Sequence, residues 1–177
     1  GKKTGTLVNS ANLEELNNFG SFELSEDEKR IILATEVEPI FRRSRKGIYY
    51  VYNVEDRSVQ KISDEKIMEP TLSPDNKRVA YVINNNIFIK NLDSGEVIQV
   101  TEDGEDNKII NGITDWVYEE EFSIVKAFQW NKTGEKIAFL RFDETEVPEF
   151  SMDMYGQELY PTQTVFKYPK AGEKNSV

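Results

Sequence analysis

The chain has 177 residues, a net charge of −10, and neither histidine nor cysteine. Without those side chains it cannot assemble a Ser–His–Asp or Cys–His site, and a zinc site would need carboxylates alone. The excess of negative charge argues against nucleic acid and anionic membranes as partners. No apolar run approaches the roughly 18 residues that a membrane-spanning helix needs.

The first 20 residues predict a lead-in segment. Residues 11–16 are compatible with one helical turn or with an irregular connection, and the sequence leaves both open. No signal segment is visible, although a chain that opens with Gly-Lys-Lys-Thr-Gly is compatible with removal of an earlier stretch.

Three segments downstream align with one another without a gap, and each reads as a short strand, a polar turn and an alternating strand. They cover residues 22–33, 71–81 and 129–139, and a second register aligns 49–54 with 87–92. Two positions of the repeat are apolar in every copy: Leu24, Leu72 and Trp130, and Ile31, Val79 and Ile137. A repeat of roughly 40 to 45 residues built from short strands is typical of propeller blades.

The sequence therefore predicts an all-β fold, a partial β-propeller of about three to four blades, each a four-stranded antiparallel sheet. The predicted boundaries are a lead-in over 1–20 and a partial propeller over 21–177, with blade one at about 21–63, blade two at about 68–101 and blade three, with an insertion, at about 105–166.

The spacing of the repeats locates two insertions of about ten residues each. The first lies around 38–46, and the second lies between Thr101 and Phe128. Residues 42–46 carry four cations, whereas residues 102–121 carry eight acids and one lysine. Neighbouring blades would place the two insertions near one face or rim, where loops on a rigid scaffold concentrate function. The alternative is two solvated loops with an incidental salt bridge worth at most about 1 kcal/mol.

The second insertion contains the run Asp-Trp-Val-Tyr-Glu-Glu-Glu at 115–121. Adjacent carboxylates repel one another, so the run suits a site that holds a cation better than it suits a structural strand. Thr114 or Asp115 can cap a short helical turn that begins at Trp116, and the helix dipole favours glutamates in that turn. Convergent carboxylates suit an ammonium group. Calcium is the competing ligand, but the spaced pattern of a calcium loop is absent.

The same run resembles the double-glutamate segment of the dipeptidyl peptidase IV family, serine exopeptidases of the prolyl oligopeptidase clan. Residues 143–148 (DETEVP) and 168–175 (YPKAGEKN) match further motifs of that family in the same order. The resemblance runs from about Phe22 to the end and covers part of the family's N-terminal propeller. It implies no cofactor and no metal, and a catalytic triad in a C-terminal α/β-hydrolase domain that this chain lacks.

The resemblance also assigns substrate-binding residues. It implies that Glu120 and Glu121 clamp the free N-terminus of a peptide. In the family an arginine just upstream of a tyrosine-rich strand contacts a peptide carbonyl beside these glutamates, and counting back from that strand places it at Arg42, with Arg43 and Arg45 as close rivals. Three further residues are expected to support the helix without touching substrate: Asp115, Trp116 and Tyr118.

The function that the resemblance implies is substrate recognition in a serine dipeptidyl peptidase that releases Xaa-Pro dipeptides from peptide N-termini. The expected partners are a peptide with a free N-terminus and the C-terminal hydrolase domain of a longer parent protein. A homodimer is expected in the parent, and self-association through sheet edges is expected for the excised blades. The resemblance further implies a bacterial protein that is periplasmic, at the cell surface or secreted.

Two other functions stay open at this point. One is a propeller scaffold without enzymatic activity that binds protein partners. The other is a sister peptidase of the same clan, which releases tripeptides or has another aminopeptidase specificity. An ammonium clamp would serve that sister enzyme equally well, so the residues of this chain do not separate it from a dipeptidyl peptidase.

Overall fold

Short strands that pair with their neighbours in sequence build the fold. The computed structural model describes residues 5–13, 16 and 18–177, and these form fourteen β-strands and one α-helix. The strands in chain order are β1 Ser21–Leu24, β2 Arg30–Pro39, β3 Arg45–Asn53, β4 Val59–Lys61, β5 Met68–Leu72, β6 Arg78–Ile83, β7 Asn86–Asn91, β8 Val97–Gln99, β9 Ile109–Asn111, β10 Phe128–Trp130, β11 Ile137–Phe139, β12 Arg141–Asp143, β13 Glu149–Met154 and β14 Thr162–Lys167. The helix, α1, spans Trp116–Phe122. Within the described part of the chain no helix is long and apolar enough to cross a bilayer.

The lead-in contains one turn of 3-10 helix at Ser10–Asn12, where the side chain of Asn9 accepts a hydrogen bond from the Ala11 N–H at 3.1 Å. Leu13 is already extended. Of the segment 11–16, for which the sequence leaves a helical turn open, residues 14 and 15 lie outside the described residues.

Blades one and two are four-stranded antiparallel meanders, β1-β2-β3-β4 and β5-β6-β7-β8, which confirms the predicted all-β partial propeller. The repeat seen in the sequence is a repeat of strand pairing: Leu24 faces Ile31, Leu72 faces Val79, and Trp130 faces Ile137. The turns between these strands are also equivalent. In each turn a backbone N–H donates to the carbonyl five residues on, from Ser25 to Arg30, Ser73 to Arg78, and Asn131 to Lys136.

Residues 105–166 differ from a single four-stranded blade. They form three two-stranded sheets, β12-β9, β10-β11 and β13-β14. Gly112 joins the first two of these sheets, because its carbonyl accepts from the Ala127 N–H at 2.9 Å and its own N–H donates to the Leu140 carbonyl at 3.1 Å. Gly112 has φ of +76° and stands against Ile87, whose side chain lies 2.7 Å from where a Cβ would be. A glycine is required at this junction because residues with a side chain rarely adopt this positive φ, and because the junction leaves no space for a Cβ.

The hydrophobic core lies between successive sheets. One cluster fills the space between blades one and two: Val51, Ile62, Ile67, Val79 and Tyr81. A second cluster joins blade two to the third region and includes Val82, Ile87, Ile110, Phe128, Trp130 and Phe142. The Trp130 indole N–H also donates to the Thr71 carbonyl at 3.1 Å. These contacts fix the sheets relative to one another and so set the distance between the two insertions.

The first insertion is a lengthened hairpin. β2 and β3 continue past the blade, with Glu38 opposite Lys46 and Pro39 opposite Arg45, after a bulge that follows Thr35. Residues 40–44 close the tip, where the Ile40 N–H donates to the Ser44 carbonyl at 3.0 Å. Most of the extra residues therefore extend two paired strands, and only five of them form the connection that we call the hairpin tip.

Candidate functional site

The second insertion carries α1, and Asp115 starts it. Asp115 has extended backbone angles and its carboxylate accepts a hydrogen bond from the Tyr118 N–H at 2.9 Å, which satisfies one of the free N–H groups of the first turn. Its second oxygen accepts from the Ser176 hydroxyl. The helix ends at Ser123, which lies in the left-handed region with φ of 58°. The predicted short helix near 115–121 is confirmed.

The three glutamates of α1 have three different surroundings. Consecutive helical residues point about 100° apart, so adjacent carboxylates cannot share one environment. Glu119 is 2% exposed, the side chain of Glu120 is 24% exposed, and Glu121 lies on the surface. Among the described residues the Glu121 side chain makes no ion pair or hydrogen bond, and no group of three acidic side chains is arranged to hold a metal ion.

The hairpin tip lies against this helix, and its arginines have separate partners. Arg42 forms an ion pair with Glu120, with 2.8 Å between Nη2 and Oε1. Arg43 Nη2 donates to the Ser123 hydroxyl oxygen at 2.7 Å. Arg45 turns back onto its own hairpin, where it donates to the carbonyls of residues 41 and 44 at 3.4 and 3.2 Å. Of the three candidate arginines, only Arg42 pairs its guanidinium with a glutamate of the run.

Glu119, which the sequence patterns did not single out, makes two hydrogen bonds between the two insertions. Its Oε1 accepts hydrogen bonds from the backbone N–H groups of Arg43, at 2.6 Å, and Ser44, at 2.9 Å. One signal pointed to it: position 119 follows the cap at 115 by four residues, so both side chains lie on one face of the helix. Both are buried. The hydrogen-bond partners of Glu119 are backbone N–H groups about 75 residues away in the sequence. The types of side chain at those positions therefore do not reveal the contact.

Aromatic side chains pack against α1. Trp116 packs on Tyr168 with 4.6 Å between ring centroids, and Tyr118 packs edge-on against Phe142 at 4.9 Å. Phe166 of β14 lies 6.4 Å from Trp116 and 6.2 Å from Phe41 of the hairpin tip. The structure thus places Trp116 and Tyr118 in the packing that carries α1, and the β13-β14 hairpin contacts both the helix and the tip.

A cavity of about 480 Å³ lies between the hairpin tip, the start of α1 and β14. Glu144 lines it and is 6% exposed. Burial is the largest of the effects that raise the pKa of the Glu144 carboxyl to about 7, the negative charge of Asp115 is the next, and Lys167 partly offsets both. This carboxyl therefore titrates near neutral pH, beside the residue that caps the helix.

Fold and site together define a partial β-propeller in which a cationic hairpin tip docks on an inserted acidic helix. The family model described as the "Dipeptidyl peptidase IV (DPP IV) N-terminal region" matches residues 25–177. A solved structure, dipeptidyl peptidase 4 of Porphyromonas gingivalis, superposes with a TM-score of 0.92 at 43% identity, over 99% of this chain and 26% of that chain. The chain belongs to the N-terminal region of the dipeptidyl peptidase IV family, as the motifs predict.

Curated relatives agree with this assignment. A probable dipeptidyl-aminopeptidase B of Chaetomium globosum is 37% identical in an alignment of 169 residues that covers 86% of this chain and 18% of the relative. Human prolyl endopeptidase FAP is 34% identical in an alignment of 177 residues that covers 97% of this chain and 23% of the relative. The chain thus spans about a fifth of the length of the curated relatives that it matches.

Proposed function

We propose that this chain is the substrate-recognition part of a serine dipeptidyl peptidase that releases Xaa-Pro dipeptides from peptide N-termini. The observation that carries the proposal is the Arg42–Glu120 pair, held between two insertions of a dipeptidyl peptidase IV N-terminal region. The matched relatives are four to five times longer than this chain, which supports a longer parent protein. The bond-breaking residues would lie in its C-terminal hydrolase domain, since this chain has no histidine.

In the proposed mechanism, the carboxylates of Glu120 and Glu121 bind the α-ammonium of the peptide. A pair of unit charges 4 Å apart gains roughly 4 kcal/mol at an effective dielectric near 20. Arg42, whose side chain is 68% exposed, donates to a backbone carbonyl of the same peptide. The clamp fixes the distance from the N-terminus, so the bond after the second residue is presented to the distant serine. Positioning of this kind lowers a barrier without a contact to the reacting atoms.

Removing either clamp carboxylate tests the proposal. We expect Glu120→Ala or Glu121→Ala to lower kcat/KM of the parent enzyme roughly ten- to a hundredfold, because each change removes a charge-assisted contact worth about 1.5–3 kcal/mol. The measurement is cleavage of a Gly-Pro chromogenic substrate. Glu102→Ala, an exposed acid of the same insertion, is the matched control and should retain full activity.

The chemistry of the substrate's N-terminus gives an independent check. Acetylation removes the ammonium charge, so N-acetylated Xaa-Pro peptides should be poor substrates of the wild type. Equal cleavage of acetylated and free peptides, or fully active glutamate variants, would refute the clamp. Mass spectrometry of the products separates the alternatives: dipeptides support the proposal, tripeptides indicate the sister specificity, and no product from any peptide indicates a binding scaffold.

We also propose that sheet edges make the isolated chain self-associate and that the parent is a homodimer. All four residues of β1 are exposed, and Phe22 is 69% exposed. β1 and β4 are the edges of their sheet, and an open edge offers unpaired backbone groups to another chain. Sedimentation of the isolated chain should show concentration-dependent association. A compact monomer at high concentration would contradict the edge proposal.

The source and compartment are proposals as well. Identity is higher with the Porphyromonas gingivalis protein, at 43%, than with the fungal and human relatives at 37% and 34%, which supports a bacterial source. The periplasmic or cell-surface location rests on the family resemblance. Fractionation of the source cells with an antibody to the parent protein tests it, and recovery in the cytoplasm would contradict it.

A further inference from the structure

We infer that Glu119 is a positioning residue of the clamp: its buried carboxylate fixes the hairpin tip on α1 and thereby sets where Arg42 meets Glu120. The inference rests on the proposed function, because the clamp is what Glu119 would position. Glu119 itself is directed away from the surface, at 2% exposure, and is distinct from the three residues proposed to touch substrate.

The contact is specific in its geometry. One oxygen of Glu119 accepts from two successive backbone N–H groups, those of Arg43 and Ser44, at 2.6 and 2.9 Å. Successive N–H groups that converge on one oxygen fix the orientation of the peptide planes between them. The Glu119 side chain of α1 therefore fixes the backbone of the hairpin tip, and the conformation of the tip depends on this contact.

Among the residues that the structure describes, the hairpin tip has no substitute for this acceptor. Its own closing bonds use other groups: the Ile40 N–H bonds the Ser44 carbonyl, and the Phe41 N–H bonds the Ser44 hydroxyl oxygen at 3.2 Å. Ser44 is 3% exposed, so its N–H has little access to water. Without Glu119 the N–H groups of Arg43 and Ser44 would be left unpaired, a state that folded proteins avoid by moving the backbone.

Because the Arg42 side chain is largely exposed, a second contact is needed to fix its position. Its side chain is 68% exposed, and exposed ion pairs contribute little because water screens them and long side chains lose rotamer freedom. The pair with Glu120 is thus too weak to define the loop that carries it. The two anchored amides follow Arg42 directly in the chain, so they determine the position of its backbone and the reach of its guanidinium.

A second contact ties the same elements together. Arg43 donates to the Ser123 hydroxyl oxygen, and the Ser123 N–H donates to the Glu119 carbonyl at 3.1 Å. The tip is therefore attached to both ends of the turn that carries Glu120 and Glu121. A helix of seven residues is not stable by itself, so contacts of this kind also limit its rotation. Glu119 accordingly positions both halves of the clamp.

Two substitutions of Glu119 in the full-length parent enzyme separate the effect of side-chain length from the effect of side-chain charge. Glu119→Gln keeps an acceptor oxygen at the same reach without the charge, whereas Glu119→Asp keeps the charge and shortens the reach by one methylene. We expect Glu119→Asp to raise KM for free Xaa-Pro peptides at least about tenfold and to reduce discrimination against N-acetylated peptides. Glu119→Gln should stay within about threefold of wild type in both.

Two further measurements exclude a general loss of stability. Hydrogen exchange at the amides of Arg43 and Ser44 should be at least about tenfold faster in Glu119→Asp and close to wild type in Glu119→Gln. Ile62→Val, which trims a buried core residue between blades one and two, is the control. It should lower the unfolding temperature and leave the discrimination between free and acetylated peptides unchanged.

The outcomes distinguish this inference from the proposed function. If Glu120→Ala and Glu121→Ala lose the discrimination while Glu119→Asp retains wild-type KM and selectivity, the clamp stands and the positioning role of Glu119 is refuted. A folded Glu119→Gln variant as impaired as Glu119→Asp, or more so, also refutes it, because charge would then matter more than reach. If none of the three glutamates affects discrimination, the proposed function itself fails.

Discussion

At the residue scale, burial and neighbouring charges give chemically identical carboxyl groups different pKa values. Glu144 lies in the cavity between the hairpin tip, the start of α1 and β14, where the loss of water disfavours its charged form and Asp115 adds a like charge. Lys167 is the cation that opposes these effects, and Asp106 is a further acid that adds to them. Because Asp115 caps α1, ionisation of Glu144 places a second negative charge next to the start of this helix.

We expect Glu144 to make the protein less stable as the pH rises towards neutrality. Its pKa is about 7 in the folded state and 4.5 ordinarily, so between these values the unfolded chain has released a proton that the folded chain retains. The contribution of Glu144 is therefore fully present below about pH 4.5 and is lost as the pH passes through about 7. The loss is at most about 3 kcal/mol.

Glu144→Gln tests this expectation, because an amide does not titrate. Urea denaturation of the full-length protein between about pH 5 and 8 should show a shallower decline for the variant than for the wild type. The control is Glu146→Gln, an exposed residue of the same segment that pairs with Lys174 at the surface. Identical pH dependence in Glu144→Gln and wild type would contradict the assignment.

At the element scale, the second insertion starts from a fixed point on β7. The Asn86 side-chain oxygen accepts from the Thr101 hydroxyl at 3.0 Å and from the Gly104 N–H at 2.9 Å. Thr101 in turn accepts from the Ile87 N–H at 3.0 Å. These side-chain bonds hold the chain against β7 just past the end of β8, and they define the path by which it enters β9 and α1.

Gly104 lies at the point of this connection where a side chain does not fit. A Cβ there would lie 2.4 Å from the carbonyl oxygen of Asn85, a backbone atom that cannot rotate away. We expect Gly104→Ala to destabilise the protein by about 1–3 kcal/mol, because the loop or β7 must shift. Chemical denaturation measures the change.

The matched control is Gly156→Ala in the β13-β14 connection, where nothing lies within 4 Å of the added carbon. That substitution should change the free energy of unfolding by no more than about 0.5 kcal/mol. Equal effects of the two substitutions would show that the close approach at Gly104 does not constrain the loop.

At the scale of the whole molecule, the blades act as a rigid support for two loops that meet at one edge. The core between blades one and two and the core between blade two and the third region leave the sheets little freedom to slide. Arg42 and Glu120 are 78 positions apart in the sequence, yet their charged groups lie 2.8 Å apart. This division between support and site matches a domain that recognises a substrate.

The isolated chain should have no peptidase activity. It has neither imidazole nor thiol, so no serine in it can be activated by a histidine base. The measurement is hydrolysis of a Gly-Pro chromogenic substrate by the homogeneous chain, with circular dichroism to verify that it is folded. The full-length parent is the positive control. Cleavage by the chain alone would overturn the assignment of the chemistry to another domain.

Local patterns predicted the parts of the fold that depend on neighbouring residues. The three repeats predicted a strand, a turn and a second strand, since these lie within about a dozen residues, and the structure pairs the two strands with Leu24 opposite Ile31 and its equivalents. A cap at Thr114 or Asp115 before the first turn of α1 was predicted for the same reason, and the structure shows Asp115 in that role, bonded to the N–H three residues on. The family motifs added Arg42 and Glu120, which the structure brings together.

Contacts between distant segments were decided by the tertiary structure alone. The sequence determined the blade repeat, the helix and the opposite charges of the insertions, because each depends on residue types at short spacing. It did not determine that Glu119 faces inward to bind the amides of Arg43 and Ser44, or that Arg45 turns away from the acids. Backbone N–H groups are the same at every position, so their partners are selected only when packing between blades brings the hairpin tip onto the helix.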